Sequence, residues 1–311
     1  MTSKPLHVIF GAGQVGSLLA KQLRAAGLPV RVVRRQAQSS SDPDLQVVQA
    51  DVYDREAAVR AAAGASVVYH CVNAPYHQWP TQLPPLHRHI AAAAQNAGAR
   101  LVLLDNVYMV GPTSAPFGEY VAEQPCSKKG MIRKQLSDEL REQARRGELR
   151  LTIGRASDFV GPGVTQGAIQ NPRGMQQLLG GKTVDLLGSP DQPHSWSYVP
   201  DVAAGLAALG QADAAVEGEV FHLPVLPPET ARERLQGLAT ELGVGLQVRA
   251  MPAWLLRGLG WFSPLMAEFG EMRYQFDQPM VLRDEKIRTR LGLQPTARAQ
   301  QLRETAAWLR A

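Results

Sequence analysis

Short apolar runs alternate with stretches of helical period through the first half of the chain. Leu6–Phe10 reads as a buried strand, followed by helical spacing over Val15–Ala26 that stops at Gly27. Val30–Val33 and Leu45–Gln49 read as two further strands, Arg55–Ala63 as a helix closed by Gly64, and Ser66–Cys71 as a fourth strand. Leu86–Asn96 has helical period up to Gly98, Leu101–Asp105 is a fifth strand, and Lys128–Arg146 is a long amphipathic helix ending at Gly147. Leu149–Gly154 is a sixth strand. Strands that alternate with helices predict a parallel, doubly wound α/β sheet, because parallel strands need crossovers and those crossovers are right-handed.

Beyond about residue 160 the alternation weakens and glycine and proline become dense. One more unit is expected, with Val202–Leu209 as helix and Glu219–Leu223 as strand, and 225–311 reads as mostly helical. The pattern predicts a dinucleotide-binding Rossmann core over 1–165, to which 196–225 returns. A smaller, mostly helical substrate lobe is expected from 166–195 and 226–311.

The first strand runs into Gly11-Ala12-Gly13-Gln14-Val15-Gly16 and then into a helix. In that context Gly11 permits the tight turn, Gly13 lets backbone approach a pyrophosphate, and Gly16 allows close helix–strand packing. Gln14 and Val15 stand at the helix N-terminus, whose unpaired N–H groups and dipole favour phosphate. A carboxylate for a ribose hydroxyl is expected about 20 residues on, but that position holds Arg34, followed by Arg35. Guanidinium pairs with a 2′-phosphate where a carboxylate would repel it, so NADP is favoured over NAD. Asp51 and Val52, after the third strand, are candidates for the adenine. Val72, Asn73 and Ala74, after the fourth, are candidates for the middle of the cofactor.

Composition adds limits. The chain has 311 residues, with 33 Lys and Arg against 28 Asp and Glu, a net charge of +5. Its two cysteines fit a reducing compartment better than a disulfide framework. The N-terminus lacks the basic-then-apolar form of a signal peptide, and no apolar run approaches the roughly 18 residues of a membrane span. A cytoplasmic, soluble protein is expected, monomeric or homodimeric, with a small-molecule substrate. The excess charge is local and lacks the motifs of a nucleic-acid binder, and the histidines lack metal-ligand spacing, so neither nucleic acid nor metal is expected.

At this point the chain resembles the extended and atypical short-chain dehydrogenase/reductases, the group that includes the NAD-dependent epimerase/dehydratases. The resemblance is carried by the glycine loop, Ala50-Asp51-Val52, LLDNVYMVG over 103–111, RASDFVGPG over 155–163 and Tyr198-Val199-Pro200-Asp201-Val202. It implies a nicotinamide cofactor, with the RASDFVGPG segment bordering the nicotinamide and the YVPDV segment near a substrate cleft. Such proteins carry Ser or Thr after the fifth strand and Tyr-x-x-x-Lys on the next helix. Here Asn106 and Lys129-Gly130-Met131-Ile132-Arg133 stand in those places. Lys129-x-x-x-Arg133-Lys134 is similar to the Lys-x-x-x-Arg-Arg of isoflavone-reductase-like proteins, which implies a lysine acid or base beside NADPH.

Lys129, Tyr108 and Asn106 are therefore the candidate catalysts, and Arg133 would lower the pKa of Lys129 or hold the ribose. Asp105, at the end of the fifth strand, ranks below them as a catalytic candidate. Arg155 and Asp158 are near enough in sequence to pair. His194, Trp196 and Tyr198 alternate as one face of an extended segment, so Asp158, Trp196 and Tyr198 are candidates for a substrate pocket. The apolar segment Trp254–Phe269 is read as lobe packing, a pocket cap or a subunit contact. The expected activity is NADP(H)-dependent oxidoreduction of a small carbonyl or conjugated alkene. The alternatives are an inactive NADP(H)-binding sensor or a nucleotide-sugar epimerase/dehydratase with displaced catalysts.

Overall fold

The computed structural model describes residues 4–36, 45–113, 115–252, 254, 268 and 270–311. Most of the segment Trp254–Phe269 lies outside the described residues. The chain forms two compact units. One comprises residues 1–106, 132–155 and 202–221, the other 107–131, 156–201 and 222–311. Residues 107–131, 156–165, 196–201 and 222–225, assigned to the core from sequence, group with the second unit.

The first unit is built on β1 (His7–Phe10), α1 (Gly16–Ala25), β2 (Val30–Arg34), β3 (Leu45–Gln49), α2 (Arg55–Ala61) and β4 (Val67–His70). It continues through α3 (Trp79–Ala97), β5 (Arg100–Asp105), α4 (Lys128–Arg145), whose first four residues group with the second unit, and β6 (Arg150–Arg155). A strand at Val220–His222 completes a seven-stranded sheet in which β6, β5, β4, β1, β2 and β3 follow it in that order. β3, β2, β1, β4, β5 and β6 pair in parallel, each with its neighbour in this series. β1 and β4 are buried along their whole length, as expected of central parallel strands covered on both faces. This is the doubly wound α/β fold, and the strand order reverses between β1 and β4, where such sheets bind ligands.

Local chemistry fixes the elements around that point. Asp54 caps α2 by accepting from the backbone N–H groups of Glu56 and Ala57, and Gly98 closes α3 in the left-handed conformation. α3 begins at Trp79, two turns ahead of the expected Leu86, and runs through Pro84 and Pro85. Prolines read as breakers in sequence. Here the first turns are anchored by Trp79, which is 1% exposed and whose indole Nε1–H donates to the Ala74 carbonyl at 2.8 Å.

The second unit carries a parallel pair of strands, Thr183–Leu186 with Gln247–Ala250, and a short pair, Phe159–Val160 with Ser197–Tyr198. The strand at Gln247–Ala250 lies in a segment read as helical. Its alternating burial is the signature of a half-buried strand. Helices Pro172–Leu179, Ala231–Leu242 and Arg298–Arg310 close a core that includes Ile169, Leu178, Val184, Trp196, Leu235 and Leu302. Thr230 and Glu233 form a reciprocal capping box at the start of the second of these helices. Among the described residues no helix is long and apolar enough to cross a membrane.

Candidate functional site

A cleft of about 300 Å3 opens in the first unit at the carboxyl edge of the sheet. Gly11 and Ala12 of the glycine loop, Arg34 and Arg35 at the end of β2, Val52, and Val72 with Asn73 after β4 all line it. A Cβ on Gly16 would lie 1.9 Å from the Gly11 carbonyl oxygen, so no side chain fits where α1 meets β1. A Cβ on Gly13 would meet nothing within 4 Å. Gly13 is exposed, so its backbone faces open space at the mouth of the loop. That is the arrangement a pyrophosphate requires: tight packing behind the loop and room in front of it. Val15 and Gly16 are buried, and Gln14 is half-buried at the start of α1.

Arg34 is half-buried and Arg35 exposed at the cleft rim. Asp51 is exposed, and its Oδ1 accepts from the Tyr53 backbone N–H at 3.0 Å, so this carboxylate caps the turn after β3. Sequence reasoning missed Tyr53, Gln78 and Gln82, which also line the cleft. The Tyr53 hydroxyl donates to Gln82 Oε1 at 2.8 Å, a pairing across 29 residues that no spacing rule reveals.

A second cluster lies at the carboxyl ends of β4, β5 and β6. Arg133, on α4, is 5% exposed. Its guanidinium donates to Asp105 Oδ1 at 3.3 Å and to Asn73 Oδ1 at 3.2 Å, and it lies 4.5 Å over the Trp79 ring. Asp105 Oδ2 is 3.7 Å from Arg155 Nε, so one buried carboxylate is shared by two buried guanidiniums. Asp105 thus has a role that its place at a strand end did not suggest. Ala74 is buried, and Asn73 joins this cluster to the cleft.

Beneath it, His70 Nε2 and His87 Nδ1 are 3.3 Å apart, both buried. Burial and the Arg133 charge hold both rings neutral, His70 at about 3 and His87 well below the usual histidine range. Burial likewise raises the Cys71 thiol to about 12.

In the second unit, Lys129 is 2% exposed. Its ammonium is ion-paired with Glu268 and Glu271, and its backbone N–H donates to Glu271 Oε1 at 3.2 Å. Burial lowers its pKa, and Glu271 opposes that shift. Gly130 lets α4 pass close to the preceding loop, since a Cβ there would lie 2.5 Å from the Tyr108 carbonyl oxygen. That carbonyl also accepts from the Tyr274 hydroxyl at 3.5 Å, and the Tyr108 side chain is half-buried. Asn106 is half-buried just beyond β5 in the first unit.

His194 Nε2 lies 2.9 Å from Asp158 Oδ2 and 3.3 Å from Ser157 Oγ. Because the same nitrogen faces both groups, they do not form a relay through the ring. The His194 ring lies between Trp196, with centroids 4.2 Å apart, and Phe276, at 5.4 Å. Trp196 packs in the core with its Nε1–H on the Glu229 carbonyl, and Tyr198 donates to Glu304. The intervening Ser195 and Ser197 are fully buried as well, so the alternation does not separate an inner from an outer face here.

Comparison with known proteins agrees with the fold. The family model described as the NAD dependent epimerase/dehydratase family matches residues 8–223. An uncharacterized protein of Sinorhizobium fredii, y4nG, is 25% identical over 334 residues, which cover 99% of this chain and 79% of that one. Among solved structures, dTDP-glucose 4,6-dehydratase DesIV of Streptomyces venezuelae, with NAD and TYD bound, aligns with a TM-score of 0.78 at 21% identity. The alignment covers 98% of this chain and 97% of that one. UDP-glucuronic acid 4-epimerase of Bacillus cereus, in complex with NAD, aligns with a TM-score of 0.80 at 14% identity and covers 98% of each chain. With the doubly wound sheet, the glycine loop at its switch point and a family match over more than two thirds of its length, this chain belongs to the NAD-dependent epimerase/dehydratase family.

Proposed function

We propose that the cleft binds NADP(H) and that the protein is an oxidoreductase acting on a small carbonyl or conjugated alkene. One observation carries the cofactor assignment. Gly11 and Ala12 of the glycine loop line one cleft with Arg34 and Arg35, and the next glycine, Gly13, has open space before it, so a pyrophosphate and a 2′-phosphate would each meet the group that suits it. When bound, such a cofactor supplies or accepts a hydride.

The chain's own part is to hold the dinucleotide and manage a proton. Gly11, Gly13, Gln14, Val15 and Gly16 would take the phosphates, Arg34 and Arg35 the 2′-phosphate, and Val52 with Val72, Asn73 and Ala74 the body of the cofactor. Lys129 is assigned the proton. Burial weakens its hold on that proton, and Glu268 and Glu271 stand within reach to exchange it. Tyr108 and Asn106 are the other polar candidates, and Asp158, Trp196 and Tyr198 are assigned to the substrate side.

A second function, a dinucleotide-binding sensor without turnover, is favoured by the clamp on Lys129: its ammonium is buried and ion-paired with two carboxylates. The two neighbours named above are a dTDP-glucose 4,6-dehydratase and a UDP-glucuronic acid 4-epimerase. Nucleotide-sugar chemistry in this chain would have to proceed without Tyr-x-x-x-Lys.

The test is to mix the protein with NADPH and a panel of small carbonyls and enals and to follow cofactor absorbance. Turnover that falls about a hundredfold or more in Lys129→Ala, with NADPH affinity unchanged, is the expected result. NADPH binding without turnover on any substrate favours the sensor. Absence of dinucleotide binding overturns both.

A further inference from the structure

Of the three side chains assigned to the substrate side, Trp196 and Tyr198 direct their polar atoms to the Glu229 carbonyl and to Glu304. Asp158 differs. Its Oδ2 is engaged by His194 Nε2 at 2.9 Å, and its Oδ1 has no hydrogen-bond partner among the described residues. The side chain is 15% exposed, so this carboxylate reaches open space.

The loop that carries it is held firmly. The Ser197 backbone N–H donates to the Asp158 carbonyl at 2.9 Å, and Ser197 Oγ accepts from the Ser157 N–H at 2.8 Å. The next residue, Phe159, pairs with Ser197 in the short parallel sheet. His194 is 2% exposed and stacked between Trp196 and Phe276, so its ring is fixed against Asp158. The charge of Asp158, in contrast, has no fixed counterion. Among the described residues no lysine or arginine pairs with it, and Arg234 and Arg298 are both taken by Glu229. His194 supplies a positive charge only when protonated. A carboxylate largely withdrawn from water is costly unless a cation or further donors complete it.

We propose that Asp158 recognises a cationic group of the substrate, and that the substrate class is a carbonyl compound bearing a protonated amine. This rests on the reading of Asp158 as a substrate-side residue, and it adds the charge of what is bound. An ammonium N–H donated to Oδ1 completes the carboxylate, and hydrogen bonds between charged partners are the strong ones. A carboxylate or a diphosphate brought to the same oxygen is repelled, which sets this site against a nucleotide sugar. His194 and Ser197 are positioning residues that act through Asp158. Because they fix the loop in advance, little order is lost on binding.

The experiment titrates the full-length chain, at about pH 8 and so above the ordinary histidine range, with three aliphatic ketones of equal chain length. They end in an ammonium, a methyl or a carboxylate group. Binding is read from the His194 ring signals in 1H–13C NMR spectra, assigned by their loss in H194N, and turnover from NADPH absorbance. The ammonium ketone is expected to shift the His194 signals and to bind about tenfold more tightly than the methyl ketone, with the carboxylate ketone weakest. D158N should bring the three within about twofold. Equal affinities in wild type, or tightest binding of the carboxylate ketone, overturn the proposal. So does ammonium binding that leaves the His194 signals unmoved, or an undiminished preference in folded D158N. Should D158N fail to fold, the order in wild type and the His194 shifts decide alone. Ammonium-selective binding at His194 without NADPH turnover upholds the site and counts against the oxidoreductase reading, so the two failures are distinct.

Discussion

Two pairs of arginines stand at the same sheet edge and are used in opposite ways. Arg34 and Arg35 sit at the cleft rim, half-buried and exposed, where solvent and an incoming anion both reach them. Arg133 and Arg155 are 5% and 1% exposed, and both face Asp105. The contrast teaches what an arginine in a nucleotide-binding fold is for. At the rim it is proposed to contribute little to stability and much to the choice of ligand. In the interior it ties together β5, β6, α4 and the loop after β4, and its charge persists as a field because water is absent.

The comparison can be broken at several strengths. The largest expected effect is at Asp105. Asp105→Ala leaves Arg133 buried without its carboxylate and should cost about 3–5 kcal/mol in denaturant unfolding. Arg34→Ser and Arg35→Ser, measured the same way, should stay within about 0.5 kcal/mol of wild type. Similar losses at both places would remove the distinction between rim and interior.

Acid should expose the interior next. His7 is buried and titrates at about 4, and His70 at about 3, whereas unfolded histidines titrate near 6.5. Their folded pKa values are depressed. The stability they contribute is therefore complete above pH 6.5 and is lost as pH falls toward the folded values, because only the unfolded chain takes up protons. By pH 5 the loss should reach about 2 kcal/mol for each histidine held neutral, seen as a lower midpoint in denaturant melts. A midpoint that does not move between pH 7 and pH 5 would show that these rings are not held neutral by burial.

The rim effect is smaller in energy and specific in kind. In the double variant Arg34→Ser/Arg35→Ser, NADPH affinity should fall by about 1–3 kcal/mol, with NADH affinity unchanged. Equal weakening of both cofactors would mean that the pair does not face a 2′-phosphate. The smallest effect is at Trp79. Trp79→Phe keeps a ring beneath Arg133 but deletes the indole N–H bond to Ala74, and should cost about 1 kcal/mol of stability.

Much of the nucleotide-binding half was legible in the sequence because its signals are local. The glycine loop, the arginines at the end of β2 and the strand–helix alternation each depend on neighbours within a few residues, and β3 was placed to the residue. The early start of α3 was not legible, because Pro84 and Pro85 speak against a helix and the anchoring of Trp79 is tertiary. Nor was the role of Asp105. Its partner Arg133 is 28 residues away, and Arg133 reaches 60 residues back to Asn73, distances across which periodicity says nothing. The same holds for Lys129, whose carboxylate partners lie 139 and 142 residues further on (268 − 129 and 271 − 129).

The most direct measurement is the ratio of dissociation constants of the wild-type chain for NADH and NADPH, obtained by titration at low ionic strength. The expected result is NADPH bound at least about tenfold more tightly, a difference of about 1.4 kcal/mol that Arg34 and Arg35 supply through the 2′-phosphate. NADH bound as tightly as NADPH, or more tightly, would contradict it.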